Sequence, residues 1–119
     1  MPRSILLVLS NAAEGRDDEF NDWYTNVHLR DVLAVDGFVA ARRFRLAGAQ
    51  LQPDRPAPHR YLAVYEIEAD DPAAPLQALL SGVTSGAIPL SDTLDLASLS
   101  TFAFTPITDR VTSAVNPTS

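Results

Sequence analysis

Asp18-Glu19-Phe20-Asn21-Asp22-Trp23-Tyr24-Thr25-Asn26-Val27-His28 has the periodicity of a single amphipathic helix. Phe20, Trp23, Tyr24 and Val27 fall at the i, i+3, i+4, i+7 spacing of a buried helical face. His28 is the next position on that stripe, four residues after Tyr24, so a titratable imidazole stands where the pattern asks for an apolar side chain. Asp17 or Asp18 opens the helix, where an acid meets the free N–H groups and the helix dipole. The helix is expected to reach about Arg30, with a further turn over Asp31 to Val35, before Asp36-Gly37 turns the chain.

Strands flank this helix. Ile5 to Leu9 is a continuous apolar run, the pattern of a strand buried on both faces. Phe38 to Leu46 alternates, with Phe38, Ala40, Arg42, Phe44 and Leu46 on one face and Val39, Ala41, Arg43 and Arg45 on the other. A polar loop with three prolines (Pro53, Pro56, Pro58) leads to a third strand, Arg60 to Glu68, on which Tyr61, Ala63, Tyr65 and Ile67 share a face. Asp71-Pro72 starts a second helix whose buried face is Leu76, Leu79, Leu80 and Val83. A long connection from Gly82 to Ser100, with a turn of helix around Asp92 to Leu96, precedes a last strand from Thr101 to Thr105.

The order is β-α-β-β-α-β, the split βαβ or ferredoxin-like order, which makes an α+β fold with a four-stranded antiparallel sheet. Two helices cover one face of such a sheet. Strands one and three are apolar on both, so the second face needs a cover, and a second copy of the chain is the simplest one. A homodimer with its sheets packed face to face is therefore expected. Residues 1–106 form the domain, and 107–119, which include Pro117, are expected to be a tail or an arm over a neighbour.

Bulk composition narrows the function. The chain has 119 residues, a net charge of −6 and a pI near 4.6. That balance argues against nucleic acid and against anionic membranes as partners. No cysteine is present, so disulfides, thiolate catalysis and zinc–thiolate sites are excluded. No apolar run approaches the roughly 20 residues of a membrane span, and the first strand is too short for a signal peptide. A cytoplasmic address is the expectation. The two histidines have no metal-ligand spacing, and the five glycines form no GxGxxG loop. No metal and no cofactor are expected.

Gly15-Arg16, Glu19 to Tyr24, His28, Asp31-Val32-Leu33 and Gly37 to Phe44 resemble the EthD-like branch of the dimeric α/β-barrel superfamily, with a weaker match through Arg60 to Glu66. The resemblance spans roughly residues 3 to 105 and is specific in the first 45. It implies a ferredoxin-like protomer, a dimer closed into a barrel-like unit, and a pocket between sheet and helices. Members of the superfamily include cofactor-free cyclases, isomerases, lyases and monooxygenases acting on small, often aromatic or polyketide-like molecules, and others bind haem.

Each candidate residue has two roles open to it. His28 is a general base or acid at a pocket, its ordinary pKa lying near working pH, or a structural histidine bonded near the helix end. Tyr24, one turn earlier, donates to a substrate oxygen that gains charge, or fills core. Phe20 and Trp23 are core or pocket wall. Arg42 is a guanidinium among apolar neighbours; it pairs with a carboxylate such as Glu66 or anchors a ligand's carboxylate or phenolate. Tyr61 and Tyr65 form a ligand wall or part of the dimer core. His59, beside the prolines, is expected to be exposed. The expected function is cofactor-free acid–base chemistry next to a carbonyl, of cyclase, isomerase or lyase type, on a compact apolar metabolite. The alternatives are a non-catalytic ligand-binding or accessory dimer, and a cofactor-independent monooxygenase.

Overall fold

The computed structural model describes residues 3–115. Four strands, β1 (Ser4–Ser10), β2 (Phe38–Arg45), β3 (Tyr61–Ile67) and β4 (Ser100–Phe104), form one sheet in the order β2-β3-β1-β4. Every neighbouring pair is antiparallel. A helical rod fills the connection from β1 to β2. It comprises α1 (Asp17–Trp23), a π-helical turn (Tyr24–His28) and α2 (Leu29–Leu33). A third helix, α3 (Ala73–Ser85), joins β3 to β4. This is the expected α+β architecture, with the helices on one face of the sheet.

The register separates the two faces. Leu6 lies opposite Tyr65 on β3 and Ala103 on β4, and Val8 lies opposite Ala63 and Thr101; these side chains point toward the helices. Phe20 sits fully buried on this side, against Tyr24 and Tyr61. Burying a side chain of this size contributes about 1.5–3 kcal/mol. On the other face Leu7 lies between Val64 and Phe102, and Phe44 opposes Leu62. Phe44, Phe102 and Phe104 are exposed there.

Three local expectations are corrected. The first concerns β2. A bulge between Phe38 and Ala40 leaves Val39 without a partner across the ladder. An unpaired residue shifts the alternation by one. Phe38 and Ala41 therefore face the helices together with Arg43, while Ala40, Arg42 and Phe44 face away. The second concerns Glu66. It lies opposite Ala40 rather than Arg42, and its carboxylate pairs with Arg3 at 3.0 Å. The third is the turn of helix expected around Asp92 to Leu96. The chain there forms turns and a single bridge from Leu94 to Ala12, held by the amide of Ala13 on the carbonyl of Thr93.

The turn into β2 is tight. Gly37 has φ +98°, and a Cβ built there would lie 2.5 Å from Cγ of Pro75. A side chain at this position meets both an unfavourable backbone conformation and a packed α3. Asp71, ahead of α3, accepts a hydrogen bond from the amide of Ala73 at 3.0 Å. Beyond β4 the chain to Val115 is neither strand nor helix; Pro117, with the rest of the tail from 116, lies outside the described residues.

Candidate active site

The helical rod places the site. Phe20, Tyr24, His28 and Val32 are its buried positions, at 0, 2, 8 and 1% exposure. Each lies four positions after the one before. An α-helix repeats every 3.6 residues, so such a series would drift off its face. The π turn takes up the drift: the amide of Leu29 bonds the carbonyl of Tyr24, five residues back. Val27, which the α-helical pattern assigns to the core, is thereby turned outward to 46% exposure, and His28 takes the inward place.

His28 and Tyr24 border a cavity of about 500 Å3 between sheet and helices. Volumes of roughly 300–1,000 Å3 are usual for small-molecule sites. Leu6, Val8 and Tyr65 form its floor, with Thr101 and Ala103 from β4. Leu76, Leu79, Leu80 and Val83, the apolar stripe of α3, form its roof; Leu80, expected on the buried face, is exposed. Leu90, Leu94 and Leu99 from the long connection close one side.

The polar groups of this cavity are few. The hydroxyl of Tyr65 donates to that of Tyr24 at 3.0 Å. Burial raises the pKa of both phenols, Tyr65 well above the usual range. The imidazole of His28 is stacked on Trp23 and meets the ring of Tyr24 edge-on at 4.9 Å. Its Nδ1 is buried without a hydrogen bond. Burial pushes its pKa down to about 4, against the pull of Asp31 and with the help of Arg43. At neutral pH the ring is therefore an uncharged base.

The candidates named from the sequence divide accordingly. His28, Tyr24 and Tyr65 come together at the cavity. Phe20 and Trp23 back it from behind. Tyr61 stands apart: its hydroxyl donates to Asp17 at 2.6 Å and accepts from Asn21. Arg42 is on the opposite face of the sheet, its guanidinium 5.3 Å from the ring centre of Phe44. His59 is not exposed as expected; it is partly buried, and its Nε2 donates to the carbonyl of Ser98 at 2.6 Å. Two contributors were missed. Thr101 supplies a hydroxyl-bearing side chain to the cavity wall. Arg43 lies against the rings of Phe20, Tyr24 and Tyr61. Only the bulge at Val39 puts Arg43 on this face, and a bulge has no sequence signature here. Among the described residues no group of histidines and carboxylates could hold a metal ion.

No family model matches the sequence, and no curated protein matches it either. Solved structures do. A protein of unknown function from Nitrosomonas europaea superposes with a TM-score of 0.62 at 16% identity, over 96% of this chain and 98% of that one. An EthD-like protein from Ralstonia eutropha gives 0.59 at 13% identity, over 92% and 96%. The haem-degrader MhuD from Mycobacterium tuberculosis gives 0.57 at 17% identity, over 91% and 99%. The fold is ferredoxin-like. These EthD-like and ferredoxin-like neighbours match nearly the whole length of the chain. Among the described residues, no helix is long and apolar enough to cross a membrane.

Proposed function

We propose that this protein is a cofactor-free small-molecule enzyme that moves a proton at a carbon next to a carbonyl, in a cyclisation, isomerisation or lyase step. The observation that carries this reading is the pairing of an uncharged, under-bonded imidazole with a phenol at one apolar cavity. A compact, largely apolar, aromatic or polyketide-like substrate matches the lining. His28 takes the proton from carbon. Tyr24 donates to the carbonyl oxygen as it gains charge, and the hydrogen bond from Tyr65 supports the negative charge on that oxygen through Tyr24. Acid–base help of this kind contributes roughly 10²–10⁴-fold. The test is deuterium uptake from D2O at the α-carbon of a panel of aryl ketones and β-dicarbonyl compounds. Native protein should catalyse it and His28→Ala should not, with the circular dichroism spectrum unchanged. Equal exchange by the two proteins removes His28 from the chemistry.

The working unit we propose is a homodimer closed over the open sheet face, whose Phe44, Phe102 and Phe104 lie bare in one chain. The cavity lies on the other face and is formed within one protomer.

Haem is the group that the likeness to MhuD brings to mind. The residues here do not fit it. No lysine or arginine is among the described residues lining the cavity to meet the haem carboxylates. The imidazole of His28 is packed between Trp23 and Tyr24.

A further inference from the structure

We propose that Arg43 is a positioning residue for the pair formed by Tyr24 and His28, holding the π turn from outside with its guanidinium and laying its charge on the ring of Tyr24. The proposal deepens the acid–base reading of the cavity.

The geometry is that of a clamp. One nitrogen, Nη2, donates to Oδ1 of Asn21 at 2.9 Å. The other, Nη1, donates to Oγ1 of Thr25 at 2.9 Å. Asn21 lies in α1 and Thr25 within the π turn, so one planar fork from β2 ties the helix on both sides of Tyr24. The guanidinium carbon stands 4.5 Å from the ring centre of Tyr24, with Phe20 at 5.5 Å and Tyr61 at 5.7 Å. Arg43 is partly buried, yet among the described residues no carboxylate lies within ion-pair distance of it. A buried cation ordinarily takes a carboxylate. This one takes three π faces and three neutral oxygens, two of Asn21 and one of Thr25, so its positive charge is left uncancelled beside the site.

That charge acts in a useful sense on both partners. It disfavours a second cation at His28 and favours negative charge on the Tyr24 oxygen. The groups facing His28 are Asp31 from α2, Arg43 from β2 and the phenols of Tyr24 and Tyr65, while α3 presents only aliphatic side chains.

The test follows the His28 ring by NMR across a pH titration in native protein, Arg43→Met and Arg43→Lys, together with amide exchange at His28 and Leu29. In Arg43→Met the His28 midpoint should rise, while burial, the larger cause, keeps it below the ordinary imidazole value. In Arg43→Lys, which keeps the charge and loses the fork, the midpoint should stay low while those amides exchange about tenfold faster, the worth of one hydrogen bond to a charged group. A folded Arg43→Met with an unchanged midpoint overturns the electrostatic role. Unchanged exchange in Arg43→Lys overturns the clamp, and decides the matter where Arg43→Met does not fold. Neither readout uses turnover, so a failure here is distinct from a failure of the proposed chemistry.

Discussion

The imidazole of His28 lies 4.7 Å from the indole of Trp23, centre to centre, with the planes 25° apart. A protonated ring in that place would gain from the indole face, by about 0.5–2 kcal/mol. Burial opposes the charge and wins, holding the pKa near 4 against an ordinary 6.5.

Stability should therefore depend on pH through His28. Below the ordinary value the unfolded chain binds a proton that the folded protein refuses. The protein should lose stability as pH falls from about 6.5 to about 4, and show no dependence from this group above that window. The full loss is on the order of 3 kcal/mol. Urea unfolding at several pH values measures it. His28→Leu, of similar volume, should flatten the slope in this window.

The phenol pair offers a second measurement. Tyr65→Phe removes the donor and leaves Tyr24 able to turn to a ligand, at a cost of about 0.5–1.5 kcal/mol. Tyr24→Phe strands the Tyr65 hydroxyl in an apolar setting and should cost about 1–3 kcal/mol. In α-carbon exchange, Tyr24→Phe should lose roughly 10²-fold and Tyr65→Phe clearly less. An equal loss in both would move the oxygen-stabilising role from Tyr24 to the pair.

Gly37→Ala tests the turn that aims β2. The substituted residue would carry φ +98° and press its Cβ on Pro75. A loss of about 1–3 kcal/mol is expected, read as a fall in thermal midpoint. Gly15→Ala is the control: it shares a positive φ, of +76°, but its Cβ would meet nothing within 4 Å. The difference between the two isolates the contact with Pro75.

The bare sheet face should bring two chains together. Sedimentation equilibrium should give twice the 12.9 kDa of one chain. Phe102→Asp, on the open face at an exposed position, should give the single-chain mass with the helical content intact. A native protein that sediments as one chain would dismiss the pairing.

Much of this was legible from the chain. Alternation at Tyr61, Ala63, Tyr65 and Ile67 reports burial directly, because every second residue of β3 meets the helices. The stripe Phe20, Tyr24 and His28 was visible, since four-residue spacing suits either kind of helical turn. Val27 was misplaced because pattern reading presumes 3.6 residues per turn, and a π turn spends one more. Arg42 and Arg43 exchanged faces for a similar reason. One unpaired residue at Val39 inverts everything after it, and neither valine nor its neighbours announce a bulge. Local spacing could be read, but an extra residue that only tertiary packing tolerates could not.

The wide turn has a corollary for relatives of this protein. A chain one residue shorter between Tyr24 and His28 would wind that segment as ordinary helix, and the side chain three residues after the tyrosine, not four, would then enter the hollow. Alignments that pair first helices column by column, without a gap at this point, would then match the histidine to a residue facing water in its cousins. Equivalent chemistry could hide behind mismatched columns.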